Sequence, residues 1–116
     1  MMDIIKIFAF AVSKNASDIV IAAGAPAMMR LNGEVLPMAD MPPLSPEEAK
    51  QLVYSVLSDE QRARFERDWE IDFSFSVNNV ARLRANIFIQ QRGICAVFRV
   101  ISNQIPTPRN WALSRR

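Results

Sequence analysis

The run Ile71-Asp72-Phe73-Ser74-Phe75-Ser76-Val77-Asn78-Asn79-Val80-Ala81-Arg82-Leu83-Arg84-Ala85-Asn86-Ile87-Phe88-Ile89 decides the fold. Up to Val77 apolar and polar residues alternate, which is the signature of a strand with one buried and one wet face. Asn78-Asn79 reads as a turn. The returning strand puts Ala81, Leu83, Ala85, Ile87 and Ile89 on one face, with Arg82, Arg84, Asn86 and Gln90 on the other. Two guanidinium groups therefore project side by side from the exposed side of a sheet. Neighbouring like charges repel, so the spacing points to a carboxylate or phosphate lying between them. The competing reading is that Arg82 or Arg84 bonds Asp72 or another acid within the sheet, or that the arginines only solvate an exposed strand face.

Working outward, Ile94-Cys95-Ala96-Val97-Phe98-Arg99-Val100-Ile101 follows a turn at Arg92-Gly93 and is apolar except at Arg99. It reads as a central strand buried on both faces. A charge in such a strand must be paired or must face a site or interface near the strand's end. Upstream, Ile4, Phe8, Ala11 and Val12 recur at helical spacing and predict a first helix ending near Ser13. Strands follow over Asp18 to Ala22, Met28 to Leu31 and Glu34 to Leu36, the last two joined by the hairpin signal Asn32-Gly33. Ser45, Pro46 and Glu48 form a capping box with proline at the first helical position, and Ser58 with Gln61 repeats the pattern for a charged, mostly wet helix running to about Asp68. The order α, three strands, two helices, three strands predicts an α+β fold, with a largely antiparallel sheet and helices packed on one face.

The chain has 116 residues, half of them hydrophobic and 22% charged, which suits one soluble globular domain. It has no histidine, and Cys95 is its single cysteine. That inventory excludes His/Cys zinc sites, Ser-His-Asp and Cys-His catalysis, and internal disulfides. The three glycines, Gly24, Gly33 and Gly93, lie too far apart for a Walker A loop or a dinucleotide-binding loop. Paired acids such as Glu47-Glu48 and Asp59-Glu60 sit at helix starts, where the helix dipole and capping account for them. No catalytic residue, metal or cofactor is therefore expected of this chain.

Charge is distributed unevenly. Residues 1–72 hold all 12 acids and 7 of the 14 basic residues, a net of −5, whereas residues 73–116 hold 7 arginines and no acid, a net of +7. Arginine presents a planar fork suited to carboxylates and phosphates, so the second half should face an acidic surface or a nucleotide. Nucleic acid is disfavoured, because the arginines alternate with apolar strand residues and lack an exposed aromatic ladder. The apolar start, residues 4–12, is too short to span a bilayer and is interrupted by Lys6, so neither membrane insertion nor a signal peptide is expected and the location should be cytoplasmic.

Six pieces in order then carry a resemblance: Ala16-Ser17-Asp18-Ile19, Ala23-Gly24-Ala25-Pro26-Ala27-Met28-Met29-Arg30, Asn32-Gly33-Glu34, Asp72-Phe73-Ser74-Phe75, Arg82-Leu83-Arg84-Ala85-Asn86-Ile87-Phe88 and Val97-Phe98-Arg99-Val100-Ile101. Together they resemble the amino-terminal domain of the type IV pilus retraction ATPases, from residue 2 to about residue 107. The resemblance implies a PAS-like domain over residues 1–107. In the complete family member it precedes a RecA-like core that carries the Walker motifs and uses ATP and magnesium. It further implies a hexameric ring, in which this domain packs on the ATPase domain of the same or a neighbouring subunit and serves the pilus base machinery indirectly. Arginines of the domain reach toward the nucleotide at that junction, and the matching positions are Arg82, Arg84 and Arg99. An arginine at the terminal phosphates would stabilise developing charge.

Two departures from the family pattern stand out. Val20 occupies a position where the family usually has histidine, a change that strand packing explains. After Ile105-Pro106-Thr107 the family continues with an acidic linker of the type Glu-Glu-Leu-Gly, whereas this chain reads Pro108-Arg109-Asn110-Trp111-Ala112-Leu113-Ser114-Arg115-Arg116. Codons for Asn110, Trp111 and Ala112 read one nucleotide out of phase give Leu-Gly, and suitable codons for Pro108 and Arg109 give Glu-Glu. Residues 108–116 are therefore expected to be a frameshifted tail, the alternative being a natural short ending. The function expected is a non-catalytic interaction module of a retraction motor. The alternative is a stand-alone PAS-like sensor holding a small ligand in its core.

Overall fold

The computed structural model describes residues 4–38 and 42–103. Helix α1 (Ile4–Ser13) is followed by strands β1 (Asp18–Ala22), β2 (Met28–Leu31) and β3 (Glu34–Pro37). Helices α2 (Pro46–Tyr54) and α3 (Asp59–Asp68) lead to strands β4 (Glu70–Val77), β5 (Ala81–Gln90) and β6 (Gly93–Asn103). All six strands join one antiparallel sheet in the order β3-β2-β1-β6-β5-β4. This is the α+β class with one-sided helical cover that the sequence pattern and the resemblance predicted. The tail 108–116 and its Trp111 and Leu113 lie outside the described residues.

Local chemistry sets each boundary. Ser45 and Ser58 each accept a hydrogen bond from the backbone N–H three residues on, while Glu48 and Gln61 reach back to the cap N–H, so both predicted capping boxes form. The β2–β3 hairpin turns on Asn32 (φ 53°) and Gly33 (φ 81°), the two positive φ values that a type I′ turn requires. Helix α3 ends at Trp69, which takes the left-handed conformation (φ 60°) and donates its N–H to the Phe65 carbonyl. Its indole meets the Phe65 ring edge-on at 5.8 Å.

One face of the sheet builds the core. Ile19 and Ile21 of β1, Ala96 and Phe98 of β6, and Leu83, Ala85 and Ile87 of β5 are fully buried there. Phe8 of α1 packs on Phe98 at 4.8 Å and on Phe75 at 5.9 Å between ring centroids. Helices α2 and α3 add Ala49, Leu52, Val53 and Phe65 to the same core. Only Phe65 of α3 is buried, as its charged sequence predicts.

The opposite face carries no helix among the described residues, and this corrects one expectation. Strand β6 is central, but it is buried on both faces only in its first half: Cys95 is buried, Val97 half-buried, and Arg99 and Ile101 are exposed. The reason is one-sided cover, since nothing described packs over that end of the sheet. A register shift between Arg82 and Leu83 pairs Leu83 with Val100 and Arg82 with Ser102, so Ile101 opposes no residue of β5.

Candidate functional site

The uncovered face is organised by register. Arg30 of β2 pairs across from Asp18 of β1, Asp18 from Arg99 of β6, Arg99 from Arg84 of β5, and Arg84 from Ser74 of β4. A row of three arginines, one aspartate and one serine thus runs across five strands, every member on the wet side of the alternation. Arg99 and Arg84 stand directly opposite each other. Two like charges at such a position destabilise a sheet unless each is neutralised.

Each has its own acid, approached from opposite sides. Asp18 holds Arg99, with Oδ2 3.4 Å from Nε, and Asp72 holds Arg84, which donates from Nε and the terminal amine at 3.0 and 3.3 Å. Asp72 also accepts from the Asn86 amide at 3.4 Å. Asp18 Oδ1 accepts the Ser17 hydroxyl at 2.8 Å and lies 3.7 Å from Arg30 Nε. Hydrogen bonding from Arg84 holds the Asp72 carboxyl below the usual carboxylate range and raises the Arg84 guanidinium in turn. Arg99 and Arg84 expose 74% and 63% of their side chains, so both forks remain open to a partner. Between them lies a cleft of about 240 Å³ lined by Asp18, Arg84, Asn86, Val97 and Arg99.

The structure therefore brings together two of the three predicted arginines. Arg84 and Arg99 face one cleft, whereas Arg82 turns to the Ser76 hydroxyl at 3.4 Å on the far side of the bulge. Strand β4 draws the two side chains of the predicted pair apart, Arg82 to Ser76 and Arg84 to Asp72, the latter being the acid that the competing reading named. Sequence reasoning missed Asp18 and Arg30 as members of the row. A signal existed: Asp18 alternates with buried Ile19 and Ile21, and Arg30 follows buried Met29, which puts both on the wet face. On the core side, Phe8, Phe75 and Phe98 fill the space behind the sheet where a sensor of the PAS-like type would hold its ligand. The Cys95 thiol is pushed up by burial, which keeps it in its unreactive protonated form.

Fold and site together define an α+β domain with a single half-covered sheet whose open face presents an ion-paired arginine row. Comparison with known proteins gives that class a family. No protein-family model matches the chain. Over 106 residues it is 43% identical to the type IV pilus retraction ATPase PilT of Pseudomonas aeruginosa, covering 91% of this chain and 30% of that protein. The type IV pilus ATPase PilU of the same organism is 36% identical over the same length, covering 28% of PilU. A crystal structure of the pilus retraction motor PilT with bound ADP superimposes with a TM-score of 0.81 at 36% identity, over 96% of this chain and 34% of that one. The chain is thus a homologue of the amino-terminal region of the type IV pilus retraction ATPases, as the six sequence pieces indicated. It spans about a third of the length of these relatives.

Proposed function

We propose that the chain is a non-catalytic, cytoplasmic domain of a type IV pilus retraction ATPase. Its uncovered sheet face turns toward an ATPase domain of the same or a neighbouring subunit in a hexameric ring. There Arg84 and Arg99 offer their forks to the terminal phosphates of the bound nucleotide, and Arg82 flanks them. ATP and magnesium belong to the partner domain, since this sequence has no Walker A loop. The observation that carries this reading is the direct opposition of Arg84 and Arg99 across β5 and β6, on the sheet face that carries no helix among the described residues. Each guanidinium has one acid of its own, yet both stay largely exposed over one cleft, so the arrangement suits an anion supplied from outside.

Residues 1–107 form the domain in this reading, and residues 108–116 are a frameshifted tail. The test of the functional part is association with an intact retraction ATPase. Sedimentation of the chain with such a motor, at low salt and with a non-hydrolysable ATP analogue, should show co-migration that the double variant Arg84→Gln/Arg99→Gln loses. If the unaltered chain fails to associate at high concentration, the proposal is wrong.

A further inference from the structure

The two acids that hold the facing arginines do so on different terms. Asp18 exposes only 12% of its side chain, and its oxygens are taken up by Ser17, Arg30 and Arg99. Withdrawing Arg99 would leave a nearly buried carboxylate short of partners, which is costly. Asp72 exposes 43% of its side chain and lies on β4, the edge strand. An ion pair in water's high dielectric is weakly held and exchanges readily. Arg84 already grips Asp72 with two parallel N–H donors, the geometry that a phosphoryl group accepts equally well.

We infer that Asp72 is a resident stand-in ligand, occupying the fork of Arg84 in the free domain and yielding it to an incoming tetrahedral oxyanion, while Asp18 keeps Arg99 and Arg30 in place. The inference rests on the anion-facing reading of the cleft given above. Only one arginine has to move. Arg84 swings from Asp72 toward Arg99 over the floor formed by Asn86 and Val97, and Asp72 retains the Asn86 amide. Asp72 is thereby a specificity-determining residue. An anion that offers Arg84 a single acceptor cannot replace both hydrogen bonds of the carboxylate, whereas a phosphoryl group can.

The experiment is a titration of the whole chain with inorganic tripolyphosphate at low ionic strength, followed through the arginine Nε–Hε resonances. Asp72→Asn should bind about two- to fivefold tighter than the unaltered chain, because the competing ion pair is gone. Asp68→Asn is the control for net charge, because Asp68 pairs with Arg67 on α3, on the covered side of the sheet. It should leave the affinity unchanged. Asp72→Glu keeps a carboxylate within reach and should restore the original affinity, and Arg84→Gln should lose binding. In the unaltered chain, saturation should shift the Arg84 resonance more than that of Arg99. It should also return the Asp72 carboxyl toward its ordinary titration range as Arg84 departs. Equal affinities for Asp72→Asn and Asp68→Asn, with binding still lost in Arg84→Gln, would overturn the exchange and leave the anion-facing cleft standing. Absence of binding by the unaltered chain and by Asp72→Asn alike would overturn both.

Discussion

Tyr54 is the chain's single tyrosine, and its hydroxyl donates to Glu66 Oε2 at 2.8 Å while Lys50 and Arg62 lie over its ring. Burial first, and then the bond to Glu66, push the phenol up to about 12 from its usual value of 10.0. The folded protein therefore holds this proton over a pH range in which the unfolded chain releases it. The stability linked to Tyr54 is complete below pH 10 and drains away as the pH rises from there toward 12. Ultraviolet titration should show the phenolate appearing about two units late in the folded state. Glu66→Gln should bring it part of the way back, because burial, the larger cause, persists. At this scale the sequence was legible wherever one residue broke a pattern on its own. Arg99 stood out as the lone charge in an apolar strand, and the expectation that it must be paired is met by Asp18. Asp18 itself was not legible as a strut, because its role depends on Arg30 from β2 and Arg99 from β6, the latter 81 residues away.

Elements are held by chemistry at their ends as much as by their faces. Helix α2 has three buried residues in nine, so its start matters: Ser45 caps it, Pro46 presets its first φ, and Glu47 and Glu48 lie at the positive end of its dipole. Ser45→Ala should cost about 1 kcal/mol, read as a lower midpoint in urea denaturation with unchanged slope. These ends were legible because a capping box is a local code of four residues. The strands were legible for the same kind of reason, since alternation assigns each side chain to a face without knowledge of the neighbouring strand. That limit explains what escaped. The wet faces of β5 and β6 could each be read, but the opposition of Arg84 and Arg99 depends on register, which the tight turn between Gln90 and Gly93 sets and which runs unbroken from there to Leu83 and Val100. The hairpin alone therefore pointed to Arg82 and Arg84 as the pair, and the sheet sets Arg99 opposite Arg84.

Across the whole molecule the sheet separates two kinds of chemistry, with aromatic packing on one side and paired charge on the other. The α+β class and the one-sided cover followed from pattern, but the sheet order did not, because the insertion of β1 beside β6 is a long-range choice that hydrophobic periodicity leaves open. The separation has a testable consequence at Phe8. Helix α1 reaches the sheet through an apolar stripe whose largest member is Phe8, fully buried against Phe75 and Phe98. Phe8→Ala would remove both ring contacts and leave a void that the rigid sheet cannot close, at a cost of about 3–5 kcal/mol. That is a large part of the roughly 5–15 kcal/mol that holds a typical domain folded, so the urea midpoint should fall steeply. Phe98 carries the other half of that contact, yet its chain neighbour Arg99 points to the opposite face and takes its position from Asp18. The Nε–Hε resonances of Arg84 and Arg99 should therefore keep their positions in the variant until it unfolds. A shift of those resonances in folded Phe8→Ala would show that the core and the arginine cleft are coupled through the sheet, because Phe8 packs on Phe75 and Phe98 on the core face.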